Sequence, residues 1–178
     1  MRLFLALDLP SETREGLRPL TSERLSSAKW VAPEQWHLTL RFLGEQDEKF
    51  ASSLRRAIND FRFPAFSLQP RGLGVFPDAR RPRVLWVGLE APSALFTLQK
   101  SLEEILGGLG LPTEDKAFHP HLTLARFKSP PGKDLEHFLQ RHQSFALPPF
   151  EVREFHLYSS RLSPKGAEHT REAAFPLN

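Results

Sequence analysis

Cysteine is absent from the 178 residues, which excludes disulfides, thiolate catalysis and cysteine-ligated zinc. Long apolar runs are absent too: no stretch approaches the roughly 20 apolar residues of a membrane span. The opening ten residues begin like a signal peptide, but Asp8 and Pro10 cut the apolar run short and no small-residue cleavage site follows, so a cytoplasmic protein is expected. Charge of one sign is only weakly in excess, with 24 Lys plus Arg against 21 Asp plus Glu and a net +3. With an isoelectric point near 9.5, that balance suits an anionic ligand without demanding one. Metal-ligand spacing is also poor. His119 and His121 stand two apart, yet no carboxylate follows at a matching interval, and neither metal nor cofactor is expected.

What is present is core material, 40% hydrophobic with 15 Phe, enough for one compact domain or two intimately packed lobes over residues 1–178. Alternation predicts strands at 2–8, 30–31, 36–42 (stopped by Gly44), 66–73, 84–89, 121–127, 150–160 and 168–175. Helical periodicity predicts helices at 11–25 with Ser11 as cap, 47–61, 93–109 and 133–142. A loop rich in Gly, Pro and Arg is expected over 72–83, and a hairpin around 163–166. The fold class is therefore α+β, with strand, helix, strand recurring in each half.

The tetrapeptide His-Leu-Thr-Leu occurs twice, at 37–40 and 121–124. A repeated tetrapeptide arises by chance in roughly one such chain in three, but one that begins with the rare His in only about one in a hundred. The copies stand 121 − 37 = 84 residues apart, about half the chain. Internal duplication follows as a hypothesis: two lobes related by a pseudo-twofold axis, with the equivalent strands meeting at a cleft.

In an extended strand each copy puts His and Thr on one face and both Leu on the other. Two imidazoles supply a general acid and a general base, and two hydroxyls supply neutral donors to phosphate oxygens, a kit for metal-free phosphodiester hydrolysis. Either His taken alone reads more simply as structural, and it is the recurrence with Thr that argues for chemistry. Simple alternation from His37 carries Arg41 into the cleft. From His121 it turns Arg126 away, with Ala125 read as one inserted residue. Phe42, Phe76, Trp86 and Phe127 offer either base stacking or core packing, and Arg80, Arg81 and Arg83 either hold RNA phosphates or solvate a loop. His137, His142, His156 and His169 lack a paired context and read as surface or structural.

At these residues the chain resembles the 2H phosphoesterase superfamily, whose pattern is two His-x-Thr/Ser-x motifs. Residues 36–44 and 118–127 are similar to the bacterial and archaeal RNA 2',3'-cyclic phosphodiesterases, also called 2'-5' RNA ligases, and residues 2–7, 82–86 and 157–160 extend the likeness. The resemblance implies a bilobal fold of two antiparallel sheets with outer helices and a metal-independent cleft between them. It implies hydrolysis of a terminal 2',3'-cyclic phosphate to a 2'-phosphate, with weak reversible 2'-5' ligation. The partners it implies are RNA or oligonucleotides with a cyclic phosphate end and cyclic nucleotides, and a monomer is expected. By motif position His37 and His121 are catalytic and Thr39 and Thr123 bind phosphate; His37 is expected as general acid and His121 as general base, with the near-symmetry leaving the swapped assignment open. The family's Arg after the second motif falls on Arg126, which requires a twist or bulge to bring it inward. Arg41 and Phe42 complete the candidate substrate contacts. The rival readings are a noncatalytic nucleotide- or RNA-binding module using the same cleft, and a metal-dependent phosphoesterase.

Overall fold

A computed structural model describes residues 1–178. The chain runs β1 (Arg2–Asp8), α1 (Ser11–Thr21), β2 (Ala28–Trp30), a 3-10 turn (Pro33–Gln35), β3 (His37–Glu45), α2 (Glu48–Asn59), β4 (Phe66–Phe76) and β5 (Val84–Glu90). It continues through α3 (Ser93–Gly108), β6 (His121–Phe127), α4 (Lys133–Arg141), β7 (Phe150–Val152), β8 (Glu154–Ser163) and β9 (Gly166–Pro176). The strands form two sheets, ordered β3-β1-β8-β9 and β2-β6-β5-β4-β7, and every pairing is antiparallel. The helices stack their apolar stripes on the sheets: Ala51, Leu54 and Ile58 of α2 and Leu95, Leu98, Leu102 and Leu106 of α3 are all buried. A single cluster of 34 buried hydrophobic residues runs through both lobes.

The two halves are not separate sheets. Each half contributes two adjacent strands to its own sheet, β1 with β3 and β5 with β6, and sends two across to the other, β2 and β4 from the first half and β8 and β9 from the second. Thus β4 pairs with β5, and β8 pairs with β1.

Several boundaries differ from the sequence expectation for identifiable reasons. Helix α1 stops at Thr21, where the Thr21 and Ser22 hydroxyls donate to the Arg18 and Pro19 carbonyls and use up the helix end, leaving Leu25 to enter the core from a loop. Its N-cap is Pro10, and Ser11 makes no capping bond. Strand β3 continues through Gly44, which tolerates its φ of 73° while opposing Leu3. Strand β4 runs to Phe76, because pairing of Phe76 with Val84 draws half of the expected loop into a hairpin and leaves only 77–83 as loop. The strand expected over 150–160 divides at Arg153, with β7 on one sheet and β8 on the other.

Candidate active site

Strands β3 and β6 lie next to one another where the two sheets meet, so the two motifs face a common cleft. Each carries the same irregularity. The register skips one residue between Leu5–Arg41 and Ala6–Thr39, and likewise between Leu85–Ala125 and Trp86–Thr123, which places a bulge at Leu40 and another at Leu124. Burial follows the bulge in both strands: His and Thr are half-buried, both Leu are buried, the next residue (Arg41 or Ala125) is buried as well, and the one after it (Phe42 or Arg126) is exposed. The copies therefore superpose without a gap. Ala125 is the counterpart of Arg41 and not an insertion, and Arg126 is the counterpart of Phe42.

The bulge reverses the simple alternation for both arginines. Arg126 turns to the His121 side of the sheet, close enough for its charge to disfavour protonation of that imidazole. Arg41 is only 8% exposed, and each of its three nitrogens is engaged. Nε donates to Glu103 at 2.6 Å, and the two terminal nitrogens donate to the Phe42 and Pro112 carbonyls at 2.7 and 2.5 Å. The bulge puts Arg41 on the face opposite Thr39, against the simple alternation, yet its side chain still lines the cavity, tied there between β3 and α3.

The two histidines are held alike. His37 Nδ1–H donates to the Gln35 carbonyl at 2.7 Å, and His121 Nδ1–H donates to the His119 carbonyl at 2.6 Å. A carbonyl only accepts, so each neutral ring carries its proton on Nδ1 and keeps a lone pair on Nε2. At His37 that lone pair accepts from the Thr39 hydroxyl at 3.0 Å. The 3-10 turn that presents Gln35 is fixed from both sides, by Arg14 donating to the Pro33 carbonyl and by the Gln35 amide donating to the Ala167 carbonyl. Burial pushes the His37 imidazole down to about 4, against the raising effect of the Gln35 bond, and burial also lowers His121.

A cavity of about 550 Å³ opens between the motifs, walled by Thr39, Arg41 and Phe42 from β3 and by Phe76, His119 and His121 from the other lobe. His37, Thr123 and Arg126 do not line that cavity directly, and His37 reaches it through its bond to Thr39. Phe42 is 59% exposed at the rim, while Phe127 and Trp86 are half-buried. Phe76 sets its edge against His121 at 4.9 Å with an interplanar angle of 90°, and Trp86 lies 6.5 Å from the same ring.

Other residues surround His37 that its sequence neighbourhood does not announce. Phe4 stacks on it at 5.0 Å, and His169 meets it edge-on at 5.4 Å. Asp8 stands opposite His37 in the β1–β3 register, and its carboxylate accepts from Tyr158 Oη–H and from Arg171, both at 2.6 Å. The buried His156 lies beyond, with Nδ1 3.3 Å from Asp8 and Nε2 2.8 Å from Glu154. Burial opposes charge on both Asp8 and His156, yet their mutual contact together with Tyr158 and Arg171 at Asp8 and Glu154 at His156 outweighs it, lowering the carboxyl and raising the imidazole. The available signal is Asp8 itself, a charge at the end of an otherwise apolar strand. His169 has no local signal, since only the β8–β9 hairpin register brings it to Phe4 and His37.

The sequence pattern of the family described as LigT like Phosphoesterase matches twice, over residues 7–86 and 87–168. An RNA 2',3'-cyclic phosphodiesterase of Archaeoglobus fulgidus is 36% identical over 168 residues, covering 93% of this chain and 94% of its own. The corresponding enzyme of Methanothermobacter thermautotrophicus is 36% identical over 190 residues and 99% of both chains. Among solved structures, a Thermus thermophilus protein aligns with a TM-score of 0.83 at 32% identity, covering 99% of this chain and 97% of its own. Escherichia coli LigT complexed with 3'-AMP aligns with a TM-score of 0.79 at 28% identity, covering 99% and 98%. On the double match of the family pattern and the end-to-end identity of these relatives, this chain belongs to the LigT-like phosphoesterase family.

Proposed function

We propose that this protein hydrolyses a terminal 2',3'-cyclic phosphate of RNA to a 2'-phosphate by two-histidine acid-base catalysis. The observation that carries the reading is the paired fixation of His37 and His121 through Nδ1, which leaves an Nε2 on each motif strand for proton transfer. Nε2 of His121 takes a proton from water as its oxygen attacks phosphorus. The bond from phosphorus to O3' breaks, and O3' receives the proton carried by Nε2 of His37. Exchange with solvent then returns one proton to His37 and removes one from His121. A 5'-hydroxyl in place of water gives a 2'-5' linkage with the same proton movements, which accounts for weak ligation.

The direction of the transfer rests on where the pseudo-symmetry breaks. The β1–β3 and β5–β6 registers make Asp8 the counterpart of Gly88 and Phe42 the counterpart of Arg126. His37 thus has a carboxylate neighbour, Asp8, that favours its protonated form against the opposing His169 and Arg14, while at His121 the neighbouring His119 and Arg126 both disfavour it. Burial leaves both rings neutral before substrate binds, most strongly at His37, and the assignment of His37 as the acid rests on Asp8, the one carboxylate beside either ring, once the phosphate is bound. Thr39, Thr123 and Arg126 supply donors to the nonbridging oxygens, and Phe42 offers a face for the base.

His37→Ala and His121→Ala are each expected to lower turnover of a nucleoside 2',3'-cyclic phosphate by at least about 10²-fold with an unchanged circular dichroism spectrum. Turnover close to wild type in either variant would refute the two-histidine mechanism. Binding without turnover by the wild-type protein would favour the noncatalytic module, and loss of activity in chelator would favour the metal-dependent reading.

A further inference from the structure

Six cations ring one end of the β2-β6-β5-β4-β7 sheet, and none forms an ion pair: Lys29, Arg80, Arg81, Arg83, Arg126 and Lys128. All six are exposed. Cross-strand register joins them into one rim, since Lys29 and Val84 both oppose Arg126, and the Phe127 N–H donates to the Arg83 carbonyl at 2.9 Å. The loop that carries the three arginines is held in shape. The Asp78 carboxylate accepts from the Arg80 and Arg81 backbone N–H groups at 2.8 and 3.0 Å, and the Arg83 N–H donates to the Phe76 carbonyl at 2.8 Å. The loop's one carboxylate is therefore spent on backbone, and its three guanidiniums are exposed and unpaired.

Position gives this rim its meaning. Phe76 and Pro77, at the root of the loop, form part of the wall of the 550 Å³ cavity, and Arg126 sits on the His121 side of β6. The whole chain carries a net charge of only +3, so six free cations against Asp78 concentrate the positive charge here. Substituents that solvate a loop need no such continuity with a reaction cleft.

We propose that this rim is a phosphate track for the RNA strand that precedes the cyclic end, with the loop arginines contacting backbone phosphates beyond the reacting nucleotide. The inference rests on the proposed function and adds to it a binding subsite outside the reaction cleft, which holds the upstream strand of an oligonucleotide and has nothing to hold in a cyclic mononucleotide. Guanidiniums aimed at phosphates read no bases, so the track is indifferent to sequence. Each phosphate neutralised on a single strand contributes about −0.7 to the slope of log affinity against log salt.

The test compares wild type with the triple variant Arg80→Ala, Arg81→Ala, Arg83→Ala on two substrates. One is an RNA of about six nucleotides ending in a 2',3'-cyclic phosphate, and the other is a nucleoside 2',3'-cyclic phosphate. At moderate salt the variant's KM for the oligonucleotide is expected to rise about ten-fold, while its turnover of the mononucleotide stays within about two-fold. Equal effects on both substrates, or none on the oligonucleotide, overturn the track. If the wild type turns over neither substrate, the functional reading fails and binding decides the track alone. In that case a salt slope for the oligonucleotide that is shallower by about 2 in the variant supports it, and an unchanged slope removes it.

Discussion

Two imidazoles in the same tetrapeptide acquire different proton affinities from residues that are distant in sequence. Burial depresses both, and at His37 the neighbours pull against one another: Asp8 favours the imidazolium, while His169 and Arg14 oppose it. Catalysis that needs one ring protonated and the other neutral peaks between their two macroscopic values, both of which lie below the ordinary 6.5. In the free protein kcat/KM is therefore expected to reach its maximum below pH 6.5, whereas kcat peaks at higher pH because bound phosphate favours imidazolium. Asp8→Asn removes the carboxylate and should move the kcat/KM maximum to lower pH, with a loss of about three- to ten-fold at pH 7. A pH profile identical to wild type would show that Asp8 does not set the protonation of His37.

At the scale of strands and helices, the geometry depends on bulges and on close backbone approach. The Leu40 and Leu124 bulges turn Phe42 and Arg126 inward, and a strand continuing without them would exchange both with Arg41 and Ala125. On β4, Gly74 is the floor beneath Trp86, and a Cβ there would stand 2.2 Å from an indole carbon. Gly74→Ala must displace that ring from beside Phe76 and His121, so stability should fall by about 2 kcal/mol and kcat/KM with it. An unchanged urea midpoint would contradict the placement of the indole. Arg41→Ala strips the nearly buried Glu103 carboxylate of its cation and should cost about 3 kcal/mol in urea unfolding. A stability loss below about 0.5 kcal/mol would instead point to a cleft arginine with no structural share.

For the whole molecule, the exchange of strands between the halves makes one core of two lobes. The direction in which each buried titratable group is displaced determines the acid response. His37, His121 and His169 have lowered values, so the unfolded chain binds protons more readily below pH 6.5, and stability falls as pH drops toward about 4. Asp8, also lowered, adds stability above its unfolded value near 3.9 that is lost below it. His156, raised, works the other way, contributing fully below 6.5 and losing its contribution as pH rises through its folded value. With three imidazoles against one, the urea midpoint should decline from pH 6.5 to 4. A midpoint that is flat or rises over that range would mean these histidines are not buried as neutral groups.

The sequence by itself determined the α+β class, the number of helices, the two motif strands and the His-Thr face of each, because period and residue type are local properties of the backbone. Its reading of Arg41, Ala125 and the 150–160 strand went astray where a residue's side or sheet depends on a partner strand. Only the tertiary structure decided the bulges, the exchange of β4 and β8, and the convergence of Phe4, Asp8 and His169 on His37, with Tyr158 packed behind Phe4 and Asp8. The physical reason is that register and burial are set by pairing between segments up to 163 residues apart, as in the contact of Arg171 with Asp8, and no short window of sequence contains them.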